Sequence, residues 1–285
     1  MNLLIGLFWL MKRGKYALLH LFALILFFLC FSSPLQLNFF GETEESGAIS
    51  FMCFNANNFS STEDFRNVSE AQKLIDFVKK ENPDIVCFQE FSKFEFEGFS
   101  HYPYYFVGYR PNYEKTLQVI YSKYPIIDKG YIDFPDTRNQ TIYADVDIDG
   151  TIVRIYNIHL QSYQLIFDET MGVSKFFGQI KDGQIKQKEQ VKIVLEHASK
   201  FDGKVIFAGD FNSNPYSQNY RKLKGDKKDT FVNAGTGIGT TYRFANYPFR
   251  IDFVLVDPSI DVVSHQNFKV NLSDHEPILT HLKLD

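Results

Sequence analysis

The chain has 285 residues, 45% apolar and 22% charged, and a formal net charge of −4. That mixture excludes a disordered chain, and three unpaired-looking cysteines exclude a disulfide-stapled miniature fold. The first 40 residues hold three basic residues (Lys12, Arg13, Lys15) and no acidic one, so residues 41–285 alone stand at −7, which disfavours a protein that grips duplex DNA through a basic face.

In chain order, the first element is the apolar run Tyr16 to Phe31, broken only by His20 and prolonged by Leu35 to Phe40 beyond Ser32-Ser33-Pro34. A spanning helix needs roughly 20 residues, so the run predicts a transmembrane helix over about 16–37, within a membrane segment of residues 1–40. A cleaved signal peptide is the rival reading, but Phe31 stands where a small residue should precede Ser33. A further apolar stretch, Leu3 to Met11, precedes the basic cluster, so the membrane portion is single-pass or more. Basic residues stay on the cytoplasmic side, which places the rest of the chain outside the cytoplasm. Residues 41–48 (GETEESGA) form a linker, and residues 49–285 a single domain.

Within that domain strands and helices interleave. Ile49 to Phe54 and Ile85 to Gln89 read as strands around a helix over Ser69 to Asn82, closed by Pro83. Gln118 to Ser122, Tyr143 to Ile148 and Ile152 to His159 are further strands, the last two joined by the hairpin signal Asp149-Gly150. Gln161 to Lys181 is irregular, a helix or loop packing on the core or a lid over the site. An amphipathic helix over Ile185 to Lys200, then strands Lys204 to Ala208, Arg250 to Val256 and Ile278 to Leu284, complete one mixed α/β domain. Cys53 and Cys87 read as buried apolar residues, and His101, His197, His265 and His281 as structural or solvated.

Polar residues gather where those apolar strands meet loops: Asn55, Gln89-Glu90, His159, Asp210, Asn212, Asp252 and Asp274-His275. Strand ends are where ligand groups collect, so together they favour one shared site. An oxygen-rich set of Glu, Asp and Asn suits a hard cation such as Mg²⁺ or Mn²⁺, and no HExxH or paired Cys/His spacing supports Zn²⁺. Such a cation polarises a phosphoryl oxygen, histidines donate to non-bridging oxygens, and an Asp beside an Asn can hold and deprotonate a water.

The segments FNANNF, IVCFQE, YSKYPI, YNIHLQS, GDFNSNP, RIDFVLV and LSDHEPI resemble, in order and spacing, the endonuclease/exonuclease/phosphatase superfamily, and its membrane-anchored bacterial branch in particular. The resemblance implies a four-layer α/β sandwich, two mixed sheets face to face with helices outside. It also implies a metal-dependent phosphodiesterase or phosphatase with a monomeric catalytic domain. Its substrate would be a lipid head group, a nucleotide or, if the chain is a nuclease, nucleic acid. By the resemblance Glu90 is the principal metal ligand, assisted by Asn55. Asp210 activates water, with Asn212 positioning it, and His275 binds phosphate, oriented by Asp274 or Asp252. His159 stabilises the phosphate or helps the leaving group. A catalytically inactive binding member would lack some of these residues, and all are present. Two departures stand out. Deoxyribonuclease-type members carry an acid for the first histidine where this chain has Lys115-Thr116, with Glu114 nearby, and Gln140 stands where the anchored branch carries an Arg, so that a phosphate-binding Arg is either absent or replaced by Arg138.

Overall fold

A computed structural model describes residues 12, 14–30, 35–38, 47–59, 68–163, 173–244 and 247–284. The chain falls into two compact units, Met1–Gln36 and Leu37–Asp285. In the first, helix α1 (Gly14–Cys30) has 17 residues. At 1.5 Å per residue it is about 25 Å long, short of the roughly 30 Å hydrocarbon core. Among the described residues no helix is long and apolar enough to cross a membrane. Residues 31–34 of the span expected over about 16–37 lie outside the described residues.

The second unit contains two six-stranded sheets. Its strands are β1 (Ile49–Asn55), β2 (Ile85–Gln89), β3 (Tyr104–Val107), β4 (Val119–Ser122), β5 (Ile126–Asp133), β6 (Gln140–Ile148) and β7 (Thr151–His159). They continue with β8 (Lys204–Asp210), β9 (Lys228–Asp229), β10 (Tyr242–Phe244), β11 (Tyr247–Phe249), β12 (Asp252–Val256), β13 (Asp261–Asn267) and β14 (Ile278–Lys283). One sheet runs β13-β14-β1-β2-β4-β3 and the other β9-β12-β8-β7-β6-β5. Each has one parallel pair at its middle, β1 with β2 and β7 with β8, and antiparallel neighbours elsewhere. A parallel pair needs a crossover, and helices α2 (Val68–Glu81) and α3 (Val173–Ala198) lie in the two connections.

Alternation along the strands separates the layers. Phe51, Cys53, Ile85, Cys87 and Ile120 of the first sheet face Ala144, Ile155, Ile206, Ala208 and Val254 of the second in one buried cluster. The opposite side chains, Met52, Phe54, Val86 and Phe88, pack on Ala71, Leu74 and Val78 of α2. Tyr156, Ile158, Phe207 and Phe253 likewise pack on Val191 and Val194 of α3 and on Leu223 of α4 (Gln218–Lys224). The expected four-layer sandwich of mixed sheets is what forms. Cys53 and Cys87 are free, buried thiols. His197, His265 and His281 hydrogen-bond to Tyr156, Thr230 and Ser264, as structural histidines do.

Several bounds differ from the sequence reading. Helix α3 begins at Val173, well before Ile185. Residues 164–172, within the expected lid, and residues 60–65 of the Asn57–Phe65 loop lie outside the described residues. Strands β3, β5 and β13 and the β10–β11 hairpin were not expected. The Asp149-Gly150 turn forms with both residues at positive φ (51° and 90°), the two-residue hairpin geometry its sequence predicts.

Between the sheets, beneath their loop-bearing ends, lies a cluster of buried amides. Asn157 on β7 donates to the backbone carbonyls of Phe88 (2.8 Å) and Val119 (3.0 Å) on the opposite sheet. Its side-chain oxygen accepts from Gln89 (2.7 Å) and Gln118 (3.2 Å). All three side chains are fully buried. Removing one member strands the others at about 1–3 kcal/mol for each unsatisfied group. We therefore predict that Asn157→Leu lowers the unfolding free energy by about 3 kcal/mol, measured by urea denaturation followed by circular dichroism. An unchanged midpoint would show that the cluster contributes nothing.

Candidate active site

The two parallel pairs explain why distant residues meet. In a parallel pair both C-terminal ends emerge side by side, so Asn55 aligns with Gln89 next to Glu90, and His159 aligns with Asp210. The antiparallel neighbour β12 begins at the same edge, opposing Asp252 to Asp210. His275 immediately precedes the Glu276-Pro277 step into β14 and forms a backbone bridge to Tyr242. The strand-end residues singled out from sequence therefore share one edge of the sandwich.

Local backbone conformation aims them. Glu90 has φ +49°, a left-handed conformation that costs a non-glycine residue about 1 kcal/mol or more and turns its side chain off the strand line. Its carbonyl accepts the Asn58 N–H at 2.7 Å, within a turn whose residues Asn57, Asn58 and Phe59 also have positive φ. Asn212 adopts φ +45°, which asparagine tolerates, and its backbone N–H (2.8 Å) and side-chain amide (3.1 Å) both reach Asp210. Gly209 is required for a different reason: at φ +140° a Cβ there would stand 1.9 Å from the Ile158 carbonyl oxygen.

The cross-sheet contacts centre on Asp210, which is 2% exposed. Asn55 Nδ2 donates to Asp210 Oδ2 at 3.1 Å and to Glu90 Oε1 at 3.4 Å, while Asn55 Oδ1 takes the Asn57 N–H. Nε2 of His159 lies 3.6 Å from Glu90 and 3.8 Å from Asp210, and Nε2 of His275 lies 3.8 Å from Asp210. The carboxylate that orients His275 is Asp252, at 2.8 Å from Nδ1. Asp274 is exposed on the cleft wall and accepts from Ser273 instead. The ring of Tyr242 covers His275 at 4.7 Å.

Burial and charge compete here. Burial pushes the Asp210 carboxyl well above its usual range, and the charge of Asp252 adds to that rise. Burial alone would depress His275, yet Asp252 and Asp210 outweigh it and raise the imidazole to about 10. His159 is held below the usual histidine range by burial, with Glu90 opposing. Titrating groups pushed apart in one cleft are a mark of functional sites.

The chemistry of the donor set fits a hard divalent cation. Asp210, Asp252 and His275 offer ligand atoms within 4.8 Å of one another, and the buried Asp252 Oδ1 has no hydrogen-bond partner among the described residues. Asp252 and His275, however, are joined to each other at 2.8 Å, whereas Glu90 is 28% exposed and lines the cleft. Mg²⁺ binds through one or two carboxylates and keeps its remaining waters, which suits Glu90 at the open side. In the present rotamer Asn55 acts as a donor tying Glu90 to Asp210.

The cleft over these residues has a volume of about 1170 Å³. Lys93, Arg138, Phe94, Tyr109 and Phe249 line it, and the three aromatic rings are exposed. Gln140 is buried, donating to Gly108 and Thr116 carbonyls, and Arg138 is the arginine that lines the cleft among the described residues. Arg250 is taken by a buried, two-pronged pair with Asp229 at 2.8 and 3.0 Å. Sequence reasoning noted Lys115-Thr116 only as the place of a missing acid and gave no role to Thr116, which hydrogen-bonds His159 Nδ1 at 3.3 Å, or to Tyr242. It grouped Gln89 with the site residues at strand ends and passed over Asn157, although an amide inside an apolar strand was a readable signal.

One consequence concerns pH. A histidine raised from 6.5 to about 10 contributes stability that is full below pH 6.5 and lost as pH rises through about 10. We predict that the metal-free chain loses stability over that window. The His275 proton resonance should titrate near its upper end, and Asp252→Asn should move that midpoint downward. A His275 midpoint near 6.5 in the unaltered chain would refute the assignment.

The model of the endonuclease/exonuclease/phosphatase family matches residues 52–275. Among solved structures, an endonuclease/exonuclease/phosphatase from Beutenbergia cavernae is similar at 20% identity and a TM-score of 0.65, over 84% of this chain and 72% of that one. Humanized D. rerio TDP2 is similar at 18% identity and a TM-score of 0.64, over 84% and 100%. A mannosyl-6-phosphatase from Bacteroides thetaiotaomicron gives 17% identity and a TM-score of 0.57, over 82% and 99%. No curated protein matches. With its family model spanning the strands that carry Asn55, Glu90, His159, Asp210 and His275, the chain belongs to the endonuclease/exonuclease/phosphatase family.

Proposed function

We propose that this protein is a divalent-metal-dependent phosphoester hydrolase, a phosphodiesterase or phosphatase, held at a membrane with its catalytic domain outside the cytoplasm. The observation that carries the chemistry is the buried Asp210 carboxylate, gripped by Asn55 and Asn212 and faced by both histidines at 3.8 Å. Asp210 accepts a proton from the attacking water. Asn212 fixes the carboxylate that does so, and the charged His275, locked by Asp252, binds the phosphoryl oxygen. His159 contacts the phosphate from the other sheet. Glu90 holds Mg²⁺ or Mn²⁺, which when bound offsets charge on the phosphoryl group. Exposed Leu18, Leu19, Leu21, Phe22 and Ile25 on α1 support attachment to a lipid surface, as in a membrane-anchored bacterial branch of the family.

The substrate is a small phosphoester: a lipid head group or a nucleotide. A nuclease is the second reading, favoured by the exposed Phe94, Tyr109 and Phe249 beside Lys93 and Arg138, since bases stack on aromatic faces. D. rerio TDP2 has been solved with a single-strand DNA product.

The full chain in detergent, with Mg²⁺, Mn²⁺ or EDTA, should turn over one or more of bis-p-nitrophenyl phosphate, p-nitrophenyl phosphate, plasmid DNA and sphingomyelin only with metal. Asp210→Asn should lose about 10²–10⁴-fold in rate, the scale of general-base catalysis. No turnover by folded, metal-binding protein would sink the hydrolase reading. Metal should also raise the melting temperature of the unaltered chain and not of Glu90→Gln. Protease added to intact spheroplasts should degrade the domain, and full protection would reverse the orientation.

A further inference from the structure

Helix α3 turns two glutamines inward where its repeat would place apolar side chains. Gln187, Gln190, Val191 and Val194 share one face at helical spacing, and all four are buried, Gln187 completely. Val191 and Val194 pack on the second sheet. The glutamines, on the preceding turn, meet the chain where it leaves β7 and β8. A buried amide costs free energy unless its polar atoms are bonded, so one placed here needs partners.

Gln187 has them at both ends. Its Nε2 donates to the backbone carbonyls of Gln161 (2.7 Å) and Asn212 (2.9 Å). Its Oε1 accepts from the Ser213 hydroxyl (2.8 Å), Asn219 Nδ2 (3.0 Å) and the Tyr163 hydroxyl (3.2 Å). A backbone carbonyl can only accept, so the end of the amide that faces two of them is the nitrogen. Gln190 Oε1 takes the Gln161 N–H at 2.8 Å, gripping the same residue from its other side. The parallel ladder of β7 and β8 runs out with the Leu160 N–H on the Asp210 carbonyl at 3.0 Å. Beyond it the carbonyls of Gln161 and Asn212 converge on one amide, which offers an N–H to each. The helix thus extends the ladder by one step with a side chain.

That step matters because of what Asn212 does. Its left-handed backbone, at φ +45°, lets its N–H and its side-chain amide both reach Asp210. The Leu160 carbonyl, at 2.9 Å, steadies the Asn212 side chain, and Gln187 holds the backbone. One end of the Gln187 amide binds the Asn212 carbonyl and the other the Ser213 hydroxyl, so the peptide between them cannot rotate without breaking a bond. We propose that Gln187 is a positioning residue that fixes the conformation of Asn212 and, through it, aims the Asp210 carboxylate at the attacking water. The inference rests on the hydrolase reading given above. Gln187 touches no reacting atom; it acts from a helix outside the sheets.

The test uses the full chain in detergent and begins with a readout that needs no turnover. In Gln187→Met, hydrogen–deuterium exchange should quicken about tenfold in the peptide Phe211–Ser217, the effect of one lost restraint, with peptides of β12 and β14 unchanged. With Mg²⁺ and bis-p-nitrophenyl phosphate, kcat should fall about 10- to 100-fold, as when a reacting group is misplaced from a distance, with KM within about threefold. In an Asp210→Asn background the same change should cost at most about twofold, because residues that act as one unit are not additive. Gln187→Asn keeps an amide of shorter reach, so it should show both effects in smaller measure, and it serves where Gln187→Met does not fold. Faster exchange throughout the domain, an unchanged kcat, or a full further loss on top of Asp210→Asn would overturn the proposal. If the unaltered chain hydrolyses nothing, the hydrolase reading falls, and the exchange pattern still decides whether Gln187 holds Asn212.

Discussion

Apolar packing between two sheets is non-directional, and the amides around Asn157 give that contact a direction. Hydrogen bonds are directional, and unpaired ones in a dry interior are expensive. By joining Asn157 on β7 to Phe88 and Gln89 on β2, the cluster fixes the separation of the strand ends that carry His159 and Glu90. Gln118 joins the same cluster from the start of β4, two residues after Thr116. A site assembled from two sheets has tolerances no better than the contact between them, and here that contact is polar where it lies under the chemistry.

The same edge concentrates charge that the fold alone would not choose. Glu90, Asp210 and Asp252 converge with their partners, and burial makes each extra negative charge harder to hold. Two things offset this in the structure, the Asn55 and Asn212 donors and the imidazolium of His275; a divalent cation at the open side, as proposed, would be a third. The left-handed backbone of Glu90 belongs to the same account, since local strain there serves to direct a carboxylate into the cleft.

Much of this was legible in the sequence because the site residues interrupt apolar strands at their ends. The strands of both parallel pairs, a helix between each pair and the Asp149-Gly150 hairpin follow from periodicity and turn chemistry, although the pairing itself does not. What was missed has physical reasons. Strands β5 and β13 are half exposed, so they show neither the continuous apolar run nor the clean alternation that marks a strand, and β3 (Tyr-Tyr-Phe-Val) is only four residues long. The early turns of α3 carry Gly178 and Gly183, which lower helix propensity and hid its start. The amide cluster of Asn157 and Gln89 was not foreseen because their partners lie on the opposite sheet and are invisible along the chain. Residues 16–37 met the length criterion for a span only by counting across Ser32-Ser33-Pro34, and the described helix of 17 residues ends at Cys30.

A threonine beside His159 makes sense against that charge distribution. An ionised partner there would add a carboxylate to the neighbourhood of Glu90 and Asp210, close to a group that burial already pushes toward protonation. Any added negative charge would push that carboxyl further in the same direction. A threonine meets the ring through one hydrogen bond without adding charge, and its backbone N–H anchors it to the Arg138 carbonyl.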